Sequence, residues 1–330
     1  MSSKKFWIQL EEENAVVTDY YLHVIGESIS ADGNEVVYSR GWDSKNAKNA
    51  DVIIVSTATA AMKAILLSKT YILWTQGLWP EESYMRNKSN IRYRICNLIE
   101  RIAIKRAQNL FMVSGAMVEY YQRKYNLYLR EKTFIMPCSN EKLHEEAFFT
   151  DNKYNENVFC FAGSTSIWQC LEETIRLYSL IEKECNKVKL MLLVKDRELA
   201  EKLVKKYEIK NYEIDFVGVD ELKNKLSKVK FGFLLREDTP VNRVASPTKL
   251  LTYLANGIIP IYSNCLDGVE EVLQDTTYKI PYDNTEIISE VIEWIDKAIE
   301  PKQMLMEYKK VYYSNYDERE KRHAIIEFLK

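Results

Sequence analysis

Apolar residues in this chain come in short β-like bursts that alternate with stretches of helical period. In the first half the bursts fall at Lys5–Leu10, Glu35–Ser39, Asp51–Val55, Thr70–Trp74, Leu110–Val113 and Thr133–Met136. Helical patterns lie near Thr18–Ser30, Ala60–Leu67, Ile91–Ala107 and Gly115–Lys124. The polar stretch Thr150–Asn157 interrupts the rhythm, which restarts with strands at Val158–Ala162, Lys189–Lys195, Glu213–Val217, Phe231–Leu235, Ile258–Tyr262 and Tyr278–Pro281. The pattern predicts an α/β protein of two Rossmann-like, doubly wound parallel-sheet domains facing a cleft. The expected division is 1–150 and 151–302, with a charged helical tail over about 303–330 packing back on the first domain.

One strand-to-helix junction carries the most chemistry. Over Phe231–Asn264, Ser246 is a good N-cap, Pro247 suits the first helical position and Gly257 suits a left-handed helix end. Lys249 then falls at the third helical position, with Arg243 just upstream and Arg236 at the end of the preceding strand. A helix N-terminus carries partial positive charge and favours anions, so three cations there are in conflict unless an anionic ligand joins them. Strand end, loop, small cap, helix and added cations together describe a phosphate or diphosphate site. On the same sheet end, Gly163 lets backbone approach a ligand closely, and Ser166 with Gln169 forms a capping box for the next helix.

In the first half the matching feature is Trp74-Thr75-Gln76-Gly77-Leu78-Trp79-Pro80-Glu81-Glu82-Ser83, just beyond a strand. Gly77 allows a sharp turn and Pro80 stiffens it. Two readings of Glu81 and Glu82 are open: carboxylates over the cleft that bind or deprotonate a sugar hydroxyl, or acids decorating a helix N-terminus. The segment Arg86–Gln108 that follows has seven cations against one acid, Glu100, with Ile91, Ile95, Leu98, Ile99 and Ile102 at helical spacing. Such a helix either lies at an anionic membrane surface or packs its apolar stripe on the sheet with its cations in water.

Composition narrows the partners. At 330 residues, 46% hydrophobic, 28% charged and net charge -2, the chain reads as an ordinary globular protein with no global field for nucleic acid. Its six scattered cysteines contain no C-x-x-C pair and read as reduced thiols of a cytoplasmic protein. No run approaches a membrane span, and no apolar leader opens the sequence. Three distant histidines, and no Asp-x-Asp pair to hold a divalent cation, leave a nucleotide diphosphate to be met by protein cations and helix dipoles. No Walker lysine loop, G-x-S-x-G elbow or G-x-G-x-x-G follows the first strand.

The segments VNRVASPTKLLTYLANGIIPI, FGFLLR and FAGSTSIWQCLEETIRLYSLI resemble the donor-binding domain of retaining GT-B glycosyltransferases, the family-four (group 1) type of bacterial capsule, exopolysaccharide and O-antigen biosynthesis. ILWTQGLWPEES and LIERIAIKRAQNLFMVSGAMVEYYQRKY look like that group's acceptor domain. The resemblance implies a cytoplasmic enzyme, peripheral at the inner face of the membrane, that moves a sugar from a nucleotide diphosphate sugar to a lipid-linked or oligosaccharide acceptor. It implies a UDP-sugar in preference to a GDP-sugar, and no metal. Gly163 and Ser164 would face the nucleotide phosphates. Arg236, Arg243 and Lys249 would neutralise the leaving diphosphate, with Ser246 and Thr248 as hydroxyl and helix-end donors. Gln76, Gly77, Glu81 and Glu82 would stand on the acceptor side. The sequence departs from the family at Thr252, where the family places the Glu that binds the donor ribose, and near Val244, where its first Glu is absent. A non-catalytic subunit that binds a partner enzyme or glycan is the alternative that Thr252 motivates.

Overall fold

The structure, a computed structural model, describes residues 3–12, 16–139, 141–283 and 287–330. The chain divides into two compact units, Met1–Cys138 with Tyr316–Lys330, and Ser139–Asn315. Unit 1 holds six strands: β1 (Lys5–Leu10), β2 (Glu35–Arg40), β3 (Val52–Val55), β4 (Thr70–Thr75), β5 (Asn109–Met112) and β6 (Thr133–Ile135). They form one sheet in the order β2-β1-β3-β4-β5-β6, every pair parallel. Near-continuous apolar runs such as Val52–Val55 are what a strand covered on both faces requires, and Trp7, Ile8, Ile53, Ile54, Trp74 and Phe111 are fully buried.

Unit 2 holds β7 (Asn157–Ala162), β8 (Val188–Leu193), β9 (Tyr212–Asp215), β10 (Phe231–Leu234), β11 (Ile259–Ser263) and β12 (Ile280–Tyr282). Its sheet runs β12-β11-β10-β7-β8-β9, again all parallel. After β7 the chain winds outward through β8 and β9, then returns to place β10 on β7's other side. The β7/β10 gap is thus the point where the winding reverses, which is where open α/β sheets bind ligands. Phe159 of β7 stacks on Phe231 and Phe233 of β10 at 4.6 and 5.7 Å, closing the core under that point.

The boundary between units precedes the polar stretch expected to mark it. Phe148 is fully buried against Tyr308 at 6.0 Å, and the Lys153 ammonium donates to the Ala147 carbonyl at 3.0 Å and to that of Asn256. These contacts tie residues before 150 to the core of unit 2. The tail is likewise split. Helix Pro301–Asn315 stays in unit 2, whereas helix Glu318–Leu329 completes unit 1, with Ile325 fully buried and Phe328 against Phe111 and Phe134 at 5.8 and 5.6 Å.

The basic helix, Asn90–Arg106, does not bury its isoleucine stripe. Cys96, Glu100, Ala103 and Ile104 face inward, while Ile91, Ile95 and Leu98 are 75%, 55% and 60% exposed. The small Ala103 brings the helix close enough for the Tyr71 hydroxyl to donate to its carbonyl at 2.6 Å.

The helix that carries Lys249, Thr248–Ala255, is fixed by one close approach. Tyr253 lies fully buried over Gly232 of β10, and its hydroxyl donates to the Phe233 carbonyl at 3.0 Å. A Cβ on Gly232 would fall 2.6 to 2.7 Å from the Tyr253 ring. Gly232→Ala should therefore lift the helix and destabilise unit 2 by about 1–3 kcal/mol. Urea unfolding checks this, and an unchanged midpoint would contradict the packing.

Candidate functional site

At the β7/β10 switch point the structure brings Gly163, Arg236 and Lys249 together. Gly163 follows β7 with φ +134, a conformation that strains any side chain, and a Cβ there would meet the Lys249 Cε and Nζ at 3.4 and 3.6 Å. The Lys249 ammonium stands 3.8 Å from the Phe161 ring centre and donates to the Gln169 amide oxygen at 3.1 Å. Burial, with the Arg236 guanidinium beside it, pushes its pKa down to about 7. Arg236 donates its backbone N–H to the Ser263 hydroxyl at 2.9 Å and its guanidinium to the Leu235 carbonyl at 2.8 Å. Neither cation makes an ion pair with a carboxylate among the described residues; their hydrogen-bond partners are neutral.

Arg236 also lines a cavity of about 800 Å³ at the ends of β7, β10 and β11, with Thr165, Ser166, Ser263 and Asn264; its wall carries four carboxylates as well, Glu172, Glu173 and Asp238, which are paired with Lys206, Arg176 and Arg243, and Glu237. Its volume falls within the usual range for small-molecule sites. Lys249 and Gly163 stand beside the lining rather than in it.

The remaining expected residues are placed differently. The helix begins one residue later than expected, with Pro247 at the N-cap and Thr248 at the first position, so Lys249 is second. Arg243 is half-exposed and held by Asp238 through two bonds of 2.7 Å, with Asp267 at 3.5 Å. Its charge is thus already met by carboxylates, unlike that of its two neighbours. Ser166 and Gln169 make no capping box: the Gln169 side chain turns to Lys249, and helix Leu171–Glu184 starts after a left-handed Cys170 without a side-chain cap. Ser164 is exposed, its hydroxyl 3.2 Å from that of Ser166. The Thr252 side chain lies outside the cavity lining and its carbonyl accepts from Asn256 at 2.9 Å. Val244 is buried.

In unit 1 the two glutamates separate. Glu81 points inward, only 8% exposed, and accepts from the Tyr93 and Tyr120 hydroxyls at 3.1 and 2.7 Å, with the Lys124 ammonium at 2.7 Å. The same lysine is 3.5 Å from Glu100, which accepts from Tyr121 at 3.0 Å and Tyr125 at 2.6 Å. Burial pushes the Glu100 carboxyl up to about 7, against the pull of Lys124. Glu82 instead lies over Gly77, where a Cβ would fall 2.1 Å from its Oε1. Gly77 is needed for that space and not for its backbone angle, since its φ is not in the left-handed region. The Gln76 amide donates to Thr18 at 3.1 Å. Gln76, Gly77, Glu82 and Glu100 line a second cavity, of about 380 Å³.

Sequence reading missed the neutral partner of Lys249, the Ser263-Asn264 pair at the end of β11, and the Glu100–Lys124–tyrosine cluster. Each left a trace. Glu100 is the lone acid in a basic helix, and Ser263-Asn264 are the first polar residues after an apolar strand.

With that geometry in hand, solved structures give a consistent likeness. A glycosyltransferase from Rickettsia africae superposes with a TM-score of 0.69 over 100% of both chains, at 10% identity. HepE of Anabaena, in complex with UDP-glucose, gives 0.67 over 99% of each chain at 11% identity. The lipopolysaccharide outer core galactosyltransferase WaaB gives 0.65, covering 98% of this chain and 99% of its own, at 11% identity. The fold is therefore that of the GT-B glycosyltransferases, two Rossmann-like units of parallel sheet. No protein-family model matches the sequence, and no curated protein matches it.

A diphosphate beside Lys249 would favour its charged form and raise its pKa from about 7. A diphosphate bound there at about pH 8 would therefore take up most of one proton, and at about pH 6, where the ammonium is already formed, very little. Calorimetry in buffers of different ionisation heat reads this directly; equal uptake in a Lys249→Met variant would assign the proton elsewhere.

Proposed function

We propose that this protein is a glycosyltransferase that takes a sugar from a nucleotide diphosphate sugar, a UDP-sugar in preference to a GDP-sugar, through the site at the β7/β10 switch point. The observation that carries the reading is the pair of part-buried cations, Arg236 and Lys249, which among the described residues make no ion pair with a carboxylate and stand beside Gly163 and a helix N-terminus. As the bond from the anomeric carbon to the phosphate oxygen lengthens, negative charge gathers on that oxygen, and these groups are already oriented to receive it. The reaction in this reading needs no metal and retains configuration. Ser164, Ser246 and Thr248 add hydroxyl donors around the phosphates, Thr252 stands towards the donor ribose, and Arg243 is an outer cation released from Asp238 when the anion arrives. That HepE was solved with UDP-glucose, and a TarM variant with UDP, supports the choice of donor.

Lys249→Ala and Arg236→Ala should each lower UDP-glucose binding about tenfold or more, and turnover with it, since each removes a charge-assisted contact of about 1.5–3 kcal/mol. Arg243→Ala, whose charge is already answered by Asp238, should cost only a few-fold. Full activity in both Lys249→Ala and Arg236→Ala would sink the reading. The alternative, a non-catalytic subunit that binds a partner enzyme or glycan, is favoured by one feature, the neutral Thr252 in place of a carboxylate. Sugar transfer by the purified chain alone excludes it.

The proposed acceptor is lipid-linked or an oligosaccharide of surface polysaccharide assembly, and the protein in this reading is cytoplasmic and peripheral to the inner face of the membrane. Among the described residues no helix is long and apolar enough to cross a bilayer. The support for surface contact is the outward stripe Ile91, Ile95 and Leu98, flanked on the same helix by the exposed cations Arg94, Arg101 and Lys105. The triple variant Ile91→Ser, Ile95→Ser, Leu98→Ser should lose flotation with vesicles containing anionic lipid while keeping its soluble fold. Flotation equal to the parent's would remove the proposed contact.

A further inference from the structure

The Lys249 ammonium lies over Gly163, in the space where a Cβ would come within 3.6 Å of it. Arg236, at the end of β10, carries the same charge and pushes against it. Cys160 in β7 and Cys170 at the start of helix Leu171–Glu184 also face it. Burial drives the Cys160 thiol up to about 12 and the Cys170 thiol above its ordinary value, so both keep their protons near neutral pH. Glu173 and Glu237 act on the Cys170 thiol and not on Lys249. What remains is the Phe161 ring at 3.8 Å and the Gln169 amide oxygen at 3.1 Å. An ammonium has three N–H groups. One goes to Gln169, and among the described residues no other oxygen takes either of the remaining two.

Gln169 is held in its place by backbone on both sides. Its own N–H donates to the Ser166 carbonyl at 2.8 Å, closing the short turn Ile167–Gln169. The next residue, Cys170, takes the left-handed conformation with φ +53, which residues other than glycine seldom adopt. Its carbonyl accepts from both the N–H and the hydroxyl of the buried Thr174 at 2.9 Å, so the turn is pinned to the first turn of the helix.

The neutrality of Gln169 decides what Lys249 can do. A carboxylate at the same distance would pair with the ammonium and answer its charge, as Asp238 does for Arg243. It would also stand as a like charge against any incoming anion. An apolar side chain would leave a part-buried ammonium with no acceptor, which favours loss of its proton. An amide avoids both outcomes, since it accepts one N–H and carries no net charge.

We propose that Gln169 is the positioning residue of the anion site: its amide oxygen holds the Lys249 ammonium over Gly163 without neutralising it, so that the charge remains for an incoming diphosphate. Resting on the transferase reading above, the contact is made before the donor arrives, and the two other N–H groups are left for phosphate oxygens.

Two variants of similar size separate this from a packing role. In the full chain carrying labelled lysine ε-carbons, NMR follows the titration of Lys249 without ligand, its resonance identified by its loss in Lys249→Met. Calorimetry then measures UDP-glucose binding from about pH 6 to about pH 8. Gln169→Glu should move the Lys249 titration up by about one pH unit or more and weaken UDP-glucose binding about tenfold or more throughout. Gln169→Met should move the titration down; binding then stays within about a few-fold of the parent's at pH 6 and is lost at lower pH than in the parent. A packing role moves neither titration. A Lys249 titration unmoved in both variants overturns the proposal, as does parental UDP-glucose affinity in Gln169→Glu. Both shifts in a protein that binds neither UDP-glucose nor UDP would uphold the contact and remove the transferase reading instead.

Discussion

An ammonium drawn partly out of water without a carboxylate beside it is unfavourable, and the packing of unit 2 around β7 and β10 holds one there. Lys249 has an aromatic face and an amide oxygen for company, neutral groups that make enclosure tolerable without cancelling the charge. The helix beneath it is fixed by independent means, Tyr253 over Gly232 at one point, and Lys153 and Gly257 at its far end. Core packing thus keeps the cation in place and leaves its electrostatic demand open. Arg243 shows the other outcome a few residues away: two carboxylates reach it, and it becomes an ordinary surface pair.

How far the sequence could be read depended on whether the deciding contacts were local. The central strands were visible as apolar runs, because a parallel strand buried on both faces writes itself into consecutive positions, whereas the half-exposed edge strands β2, β6 and β9 were marked mainly by the alternation with helices around them. The left-handed helix end at Gly257 was visible for the same reason, as a conformation that one residue type favours. Side-chain destinations were not. Gln169 looks like a helix cap until a lysine eighty positions away claims it, and Glu81 looks exposed until three tyrosine and lysine side chains from two other segments close over it. The unit boundary also escaped local reading, since polar residues 150–157 mark a surface turn while Phe148 just before them already belongs to the second core.

Helix Asn90–Arg106 shows why periodicity alone misassigns faces. An isoleucine stripe at helical spacing is the usual mark of a core face, yet here Cys96, Glu100, Ala103 and a single isoleucine outside that stripe, Ile104, occupy that face. The glutamate is accommodated because tyrosine hydroxyls from the neighbouring helix, Gly115–Tyr125, and Lys124 surround it. A buried acid with several donors can substitute for apolar burial, and it frees the larger residues to face outward.

Unit 1 is assembled from both ends of the sequence, its core closed by Ile325 and Phe328 over strands laid down some two hundred residues earlier. During synthesis the sheet of unit 1 is therefore made first and finished last, after every residue of Ser139–Asn315 has left the ribosome. The central unit, whose segments are contiguous, can fold before the first one is complete. Until helix Glu318–Leu329 arrives, the part of the sheet around Phe111 and Phe134 that Phe328 covers lies open, through most of the chain's translation.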